Sequence, residues 1–94
     1  MQADYVIVGA GSAGCVLANR LSKNGASVVL LEAGPHDRHP MIHIPAGMLK
    51  LLEHPVLNWN YHTEADEKTN NRKMPMPRGK TLGGTSSING MLFI

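Results

Sequence analysis

Gly9, Gly11 and Gly14 stand at the spacing G-x-G-x-x-G, and Glu32 follows about 20 residues after that turn, the set needed to hold a dinucleotide. Gly9 allows a sharp turn, Gly11 lets backbone approach a pyrophosphate, and Gly14 lets a helix pack tightly on a strand. The N–H groups opening that helix then face the phosphates, and the helix dipole adds to the attraction. Glu32 is placed to accept hydrogen bonds from a ribose. Its charge would repel a ribose 2′-phosphate, so the ligand is a dinucleotide with a free adenosine ribose, FAD or NAD. This motif by itself does not choose between them.

The neighbouring residues build the elements that such a site needs. Tyr5 to Val8 is a short β-branched and aromatic run, suited to a buried parallel strand. Ala13, Gly14, Leu17, Ala18 and Leu21 share one helical face, with Asn19, Arg20, Ser22 and Lys23 opposite. Asn24-Gly25 predicts the helix stop, because both residues tolerate the left-handed conformation. Ser27 to Leu31 predicts the second strand, giving a β-α-β unit ended by Ala33-Gly34-Pro35.

Composition narrows the class. The chain has 94 residues, 43% hydrophobic and 17% charged, with no run near the ~20 apolar residues of a membrane helix. A formal charge of +2 from dispersed basic residues gives no stripe for nucleic acid. No basic cluster followed by an apolar segment marks a signal peptide. Cys15 is the only cysteine, which excludes an internal disulfide and suits a reducing, cytoplasmic setting. Its place after Gly14 predicts a small packing residue on the buried side of the helix. Only two strands are clear, and Met91 to Ile94 is an apolar end with no turn residue after it. The expectation is therefore an N-terminal piece of a longer polypeptide.

His36, His39 and His43 have ligand-like spacing, but Pro35, Pro40 and Pro45 oppose a regular helix and no cysteine completes a zinc set. An irregular solvated loop is expected, with no metal. Ala46 to Glu53 predicts a short helix ended by Pro55, its apolar surface too broad for a free-standing helix. Asn58 to Thr63 predicts a strand with Trp59 and Tyr61 on one face, which fits either a wall beside a ligand or packing at a core. Glu64 to Lys73 reads as a polar surface loop.

Pro77-Arg78-Gly79-Lys80-Thr81-Leu82-Gly83-Gly84-Thr85-Ser86-Ser87-Ile88-Asn89-Gly90 is dense in glycine and small hydroxyl residues. Gly79-Lys80-Thr81 matches the end of a P-loop, but that loop needs glycine where Met74 stands. What remains is a chain of small residues offering backbone N–H groups, suited to a flat polar ring system or to phosphates. A flexible linker fits poorly, since Leu82, Ile88, Met91 and Phe93 are interleaved with the small residues.

Together these motifs resemble the start of a glucose–methanol–choline (GMC) oxidoreductase, a family of FAD-dependent enzymes acting mostly on alcohols. Gly79 to Asn89 is similar to the family's first signature, with Phe93 at its aromatic position. Val6 to Cys15 and Leu30-Leu31-Glu32-Ala33-Gly34 are similar to its opening, and Asn58-Trp59-Asn60-Tyr61 to the stretch between. The resemblance implies an α/β fold, an incomplete Rossmann-like FAD-binding domain spanning residues 1–94, with the substrate domain and C-terminal catalytic region absent.

It further implies that Gly9, Gly11, Ser12, Ala13 and Gly14 bind the FAD pyrophosphate, with Glu32 and the adjoining Ala33 at the adenosine ribose. Arg78, Gly79, Gly83, Gly84 and Ser87 would lie along the pyrophosphate and flavin, with Asn89 and Met91 near the isoalloxazine. Some members attach FAD through a histidine; Ile88 stands at that position here, so non-covalent FAD is implied. The family's proton-transferring pair, a histidine with a second histidine or asparagine, lies near its C-terminus, so no histidine of this chain takes that role and no catalytic residue is assigned. The implied partners are FAD, a small alcohol such as choline, and the remainder of the polypeptide. Two other readings compete: a fragment of an NAD-dependent dehydrogenase, which leaves the second motif unexplained, and a stand-alone, non-catalytic nucleotide-binding module.

Overall fold

A computed structural model describes residues 1–92; Phe93 and Ile94, and with them the family's aromatic position, lie outside the described residues. The chain begins with β1 (Tyr5–Val8), α1 (Ser12–Ser22) and β2 (Val28–Leu31). Both strands pair in parallel, Tyr5 opposite Val28 through Val8 opposite Leu31. The β-branched residues favour these strands, and α1 supplies the crossover that a parallel pair requires. At the strand entry, the Asp4 carboxylate accepts hydrogen bonds from the Ser27 backbone N–H and hydroxyl, each at 2.8 Å. The backbone bond first, and then the hydroxyl, hold the Asp4 carboxyl below its ordinary value.

Helix α1 ends at Ser22, and of the Asn24-Gly25 pair only Gly25 adopts positive φ, at 82°. The expected apolar face is only partly covered: Gly14 is buried and Ala18 and Leu21 half-buried, but Ala13 and Leu17 are exposed. Cys15 corrects the packing expectation, since it is exposed and its thiol turns back to the Ala10 carbonyl at 3.3 Å. The exposed residues belong to a helix face that nothing among the described residues covers.

The middle of the chain is more regular than its prolines suggest. Pro40 occupies the first turn of α2 (Pro40–His43), where its missing N–H costs nothing, and His39 caps that turn by accepting from Met41 N–H at 3.2 Å. A 3-10 turn at Pro45–Gly47 leads into α3 (Met48–Leu51), a shorter helix than the expected Ala46 to Glu53. The expected strand over Asn58 to Thr63 contracts to β3 (Tyr61–His62), antiparallel to β4 (Pro75–Met76), with a separate bridge between Asn58 and Gly79. Asn60 interrupts it with a φ of 53°. Between β3 and β4 the polar loop carries a 3-10 turn at Glu67–Thr69, capped by the Asp66 side chain.

Leu51, Leu57 and Ile88 form the buried cluster, with Met41 and Ile42 against it. The core thus joins α2 and α3 to the second glycine-rich segment, and leaves the strand pair largely uncovered: Val8 is 83% exposed. The radius of gyration is 16.1 Å, against about 12 Å for a self-contained domain of this length.

Candidate functional site

The two glycine-rich segments meet. Gly9 N–H bonds the Leu31 carbonyl at 2.7 Å, so the turn leaves β1 directly over the end of β2. Its φ of 96° is open to glycine at little cost. Gly83 N–H then bonds the Ala10 carbonyl at 2.8 Å, docking the second segment on the first turn. Gly83 and Gly84 both hold positive φ, and Gly84 starts a 3-10 turn to Ser87 that lies over Gly11. The Ser12 and Ser86 hydroxyls are hydrogen-bonded to each other, tying the start of α1 to that turn.

Gly14 and Gly11 are small for different reasons. A Cβ on Gly14 would overlap the Gly9 carbonyl oxygen, so this glycine is needed for close packing of α1 on the turn. A Cβ on Gly11 would meet nothing within 4 Å. The space before Gly11 is open, and no side chain caps the N-terminus of α1 there. An uncapped helix start facing open space is a place for an anion.

Glu32 sits across from this opening. Its Oε2 accepts from Ala10 N–H at 2.8 Å and its Oε1 from Gly34 N–H at 2.9 Å. One carboxylate therefore fixes both the glycine turn and the exit from β2. An ionised carboxylate offers about four acceptor sites, so capacity remains for ribose hydroxyls.

These groups line one cleft of about 610 Å³: Gly9, Gly11, Glu32, Ala33, Arg78, Gly79 and Gly84 from the residues singled out by sequence. Ser12 and Ala13 belong to the uncapped first turn of α1 beside it, and Gly14 and Gly83 act through packing and the bond to Ala10. Arg78 is held by the Asn58 side-chain oxygen on its N–H at 3.1 Å, while its guanidinium bonds only the adjacent Pro77 carbonyl, at 2.7 Å, among the described residues. Ser87, Asn89 and Met91 stand apart from the cleft. They line a second cavity of about 220 Å³ with Met41, Ile42 and Met48, and Asn89 accepts from Met91 N–H at 3.0 Å.

The cleft also contains residues that spacing did not assign. Thr85 contributes from the second segment, and its hydroxyl accepts from Gly79 N–H at 3.1 Å. Trp59 and Tyr61 form a wall, their rings 5.8 Å apart and 8° from parallel. Alternation in a strand was the available signal, but it could not say which surface the pair faced. No histidine lines the cleft. His39, His43, His54 and His62 instead use a ring nitrogen on nearby backbone.

Comparisons with known proteins give the family. The family profile described as GMC oxidoreductase matches residues 3–94. The alcohol dehydrogenase [acceptor] of Pseudomonas putida is 56% identical over 92 residues, covering 97% of this chain and 17% of that protein. The oxygen-dependent choline dehydrogenase of Sinorhizobium medicae (strain WSM419) is 50% identical over 95 residues, again 17% of its length and 100% of this chain. Pyridoxine 4-oxidase from Mesorbium loti superposes with a TM-score of 0.91 at 40% identity, over 99% of this chain and 18% of that one. With both motifs folded onto one cleft and the match running along almost the whole chain, residues 1–94 belong to the GMC oxidoreductase family.

Proposed function

We propose that residues 1–94 are the N-terminal part of an FAD-binding domain, in a flavin-dependent enzyme that oxidises the CH–OH group of choline or another primary alcohol. The convergence of both glycine-rich segments and Glu32 on one open cleft carries this reading. The names of the alcohol and choline dehydrogenases similar to this chain support the substrate class. When bound, FAD supplies the acceptor for a hydride leaving the alcohol carbon.

The chain's own residues bind and orient that cofactor. The free N–H groups at the start of α1 hold the pyrophosphate, Glu32 accepts from the adenosine ribose, and Arg78 adds positive charge at the rim. The Gly79 to Ser87 backbone lies along the pyrophosphate and flavin, with Asn89 and Met91 toward the isoalloxazine. Ile88 is buried in the core cluster and carries no nucleophile, which supports non-covalent FAD. No described helix is long and apolar enough to cross a membrane, and the lone cysteine supports a cytoplasmic setting.

The test uses the full-length protein containing this chain. It should purify yellow, its flavin band should bleach anaerobically with choline or a simple primary alcohol, and acid precipitation should release all flavin to the supernatant. A colourless protein that takes up no FAD contradicts the reading, and colour kept in the pellet contradicts the non-covalent part.

A further inference from the structure

Asn58 is 2% exposed, yet every hydrogen-bonding site of its side chain is in use. Its Nδ2 donates to the Leu52 carbonyl at 2.7 Å and the Leu51 carbonyl at 3.3 Å, at the end of α3, where a helix has no partners of its own. Its Oδ1 accepts from Asn60 N–H at 2.9 Å and Arg78 N–H at 3.1 Å. Two donors and two acceptor sites are all that an amide has, and only one of its two orientations satisfies both pairs. A buried network of this kind is costly to leave half made.

The two sides of this amide reach different cavities. Leu51 lines the smaller one with Asn89 and Met91, whereas Arg78 and Gly79 line the cleft. A short ladder holds the Arg78 side as well: Trp59 N–H bonds the Arg78 carbonyl at 2.9 Å and Lys80 N–H the Leu57 carbonyl at 2.8 Å. From there close packing runs to the phosphate opening. A Cβ on Gly79 would overlap the Gly84 carbonyl, and one on Gly84 would stand 2.9 Å from the Gly11 Cα. We propose that Asn58 is a positioning residue for the cofactor: its neutral amide sets Arg78 and Gly79 against the opening at Gly11 and locks them to α3. Asn58 lines neither cavity and acts through these neighbours. This rests on the FAD reading above.

Asn58→Asp separates the two sides of the amide. An ionised carboxyl still accepts from Asn60 and Arg78 but turns its other oxygen on the Leu51 and Leu52 carbonyls; protonated, it donates there as the amide does. Burial against carbonyls favours the protonated form, so acid should restore the variant. Among the described residues no titratable side chain bonds Asn58. His54 accepts from Val56 and Leu57 N–H, the Arg78 guanidinium donates to Pro77, Lys80 stands over Trp59, and Lys50 and Glu53 are exposed. The experiment is FAD titration of the full-length apoprotein, with melting temperatures, each variant referred to wild type at the same pH. Asn58→Asp should bind FAD about tenfold more weakly at about pH 8 and within about threefold of wild type at about pH 5.5. Asn58→Leu, similar in size but apolar, should lose about tenfold at both; if it does not fold, the two pH values for Asn58→Asp decide. Wild-type affinity in Asn58→Asp at both pH values, a loss that acid does not restore, or a pH effect confined to the melting temperature overturns the positioning role alone, as does failure of that variant to fold at the lower pH. Wild type that binds no FAD overturns the FAD reading as well.

Discussion

At the scale of the residue, Glu32 does two things with one carboxylate. It accepts the Ala10 and Gly34 N–H groups at 2.8 and 2.9 Å and keeps acceptor capacity for a ribose. Glu32→Ala should therefore weaken FAD binding by about 1.5–3 kcal/mol, the range for hydrogen bonds to a charged group. Glu32→Gln should not restore it. An amide keeps one acceptor oxygen, but its NH2 would face one of the two backbone donors. Thermal unfolding and FAD titration of both variants check this, and a Gln variant matching wild type in both contradicts the clamp. The position of Glu32 at the end of the second strand was legible from spacing; the clamp was not, because spacing does not reveal which backbone N–H groups turn toward a carboxylate.

The elements show where local sequence suffices. β1, α1 and β2 were readable because apolar periodicity, glycine placement and helix stop agree with one another. Gly14→Ala should lower the melting temperature of the full-length protein, since its Cβ would overlap the Gly9 carbonyl and push α1 off the turn. The expected strand around Trp59 failed in part because Asn60 takes a left-handed conformation that alternation cannot report. Pro40 does not break the chain there, because at a first helical turn proline is compatible with helix.

The β1–β2 entry adds a pH dependence. The depressed Asp4 carboxyl makes its contribution above the unfolded value of 3.8 and loses it as pH falls through the lower folded value. Asp4→Asn should flatten the acid side of a melting-temperature profile below about pH 4. An unchanged profile contradicts the Asp4–Ser27 contribution.

As a whole, the chain spans 17% of the alcohol and choline dehydrogenases it matches, and its surface is consistent with that share. Val6, Val8, Leu17, Leu31 and Leu49 are all exposed, leaving the sheet faces and two helices without partners among the described residues. Residues 1–94 expressed alone should lack a cooperative thermal transition and retain no FAD; a sharply melting monomer that reduces flavin with alcohol contradicts this. The central claim, that FAD lies in the cleft before Gly11, is tested most directly by Gly11→Val in the full-length protein. Gly11 has a φ of −78° and empty space where a side chain would stand, so valine is compatible with the fold but takes the room for the phosphates. FAD titration of the apoprotein, read beside its melting temperature, should show an apoprotein that still melts cooperatively, at a cost no larger than a lost N-cap preference, and lost FAD binding; full FAD occupancy in the valine variant would contradict the account.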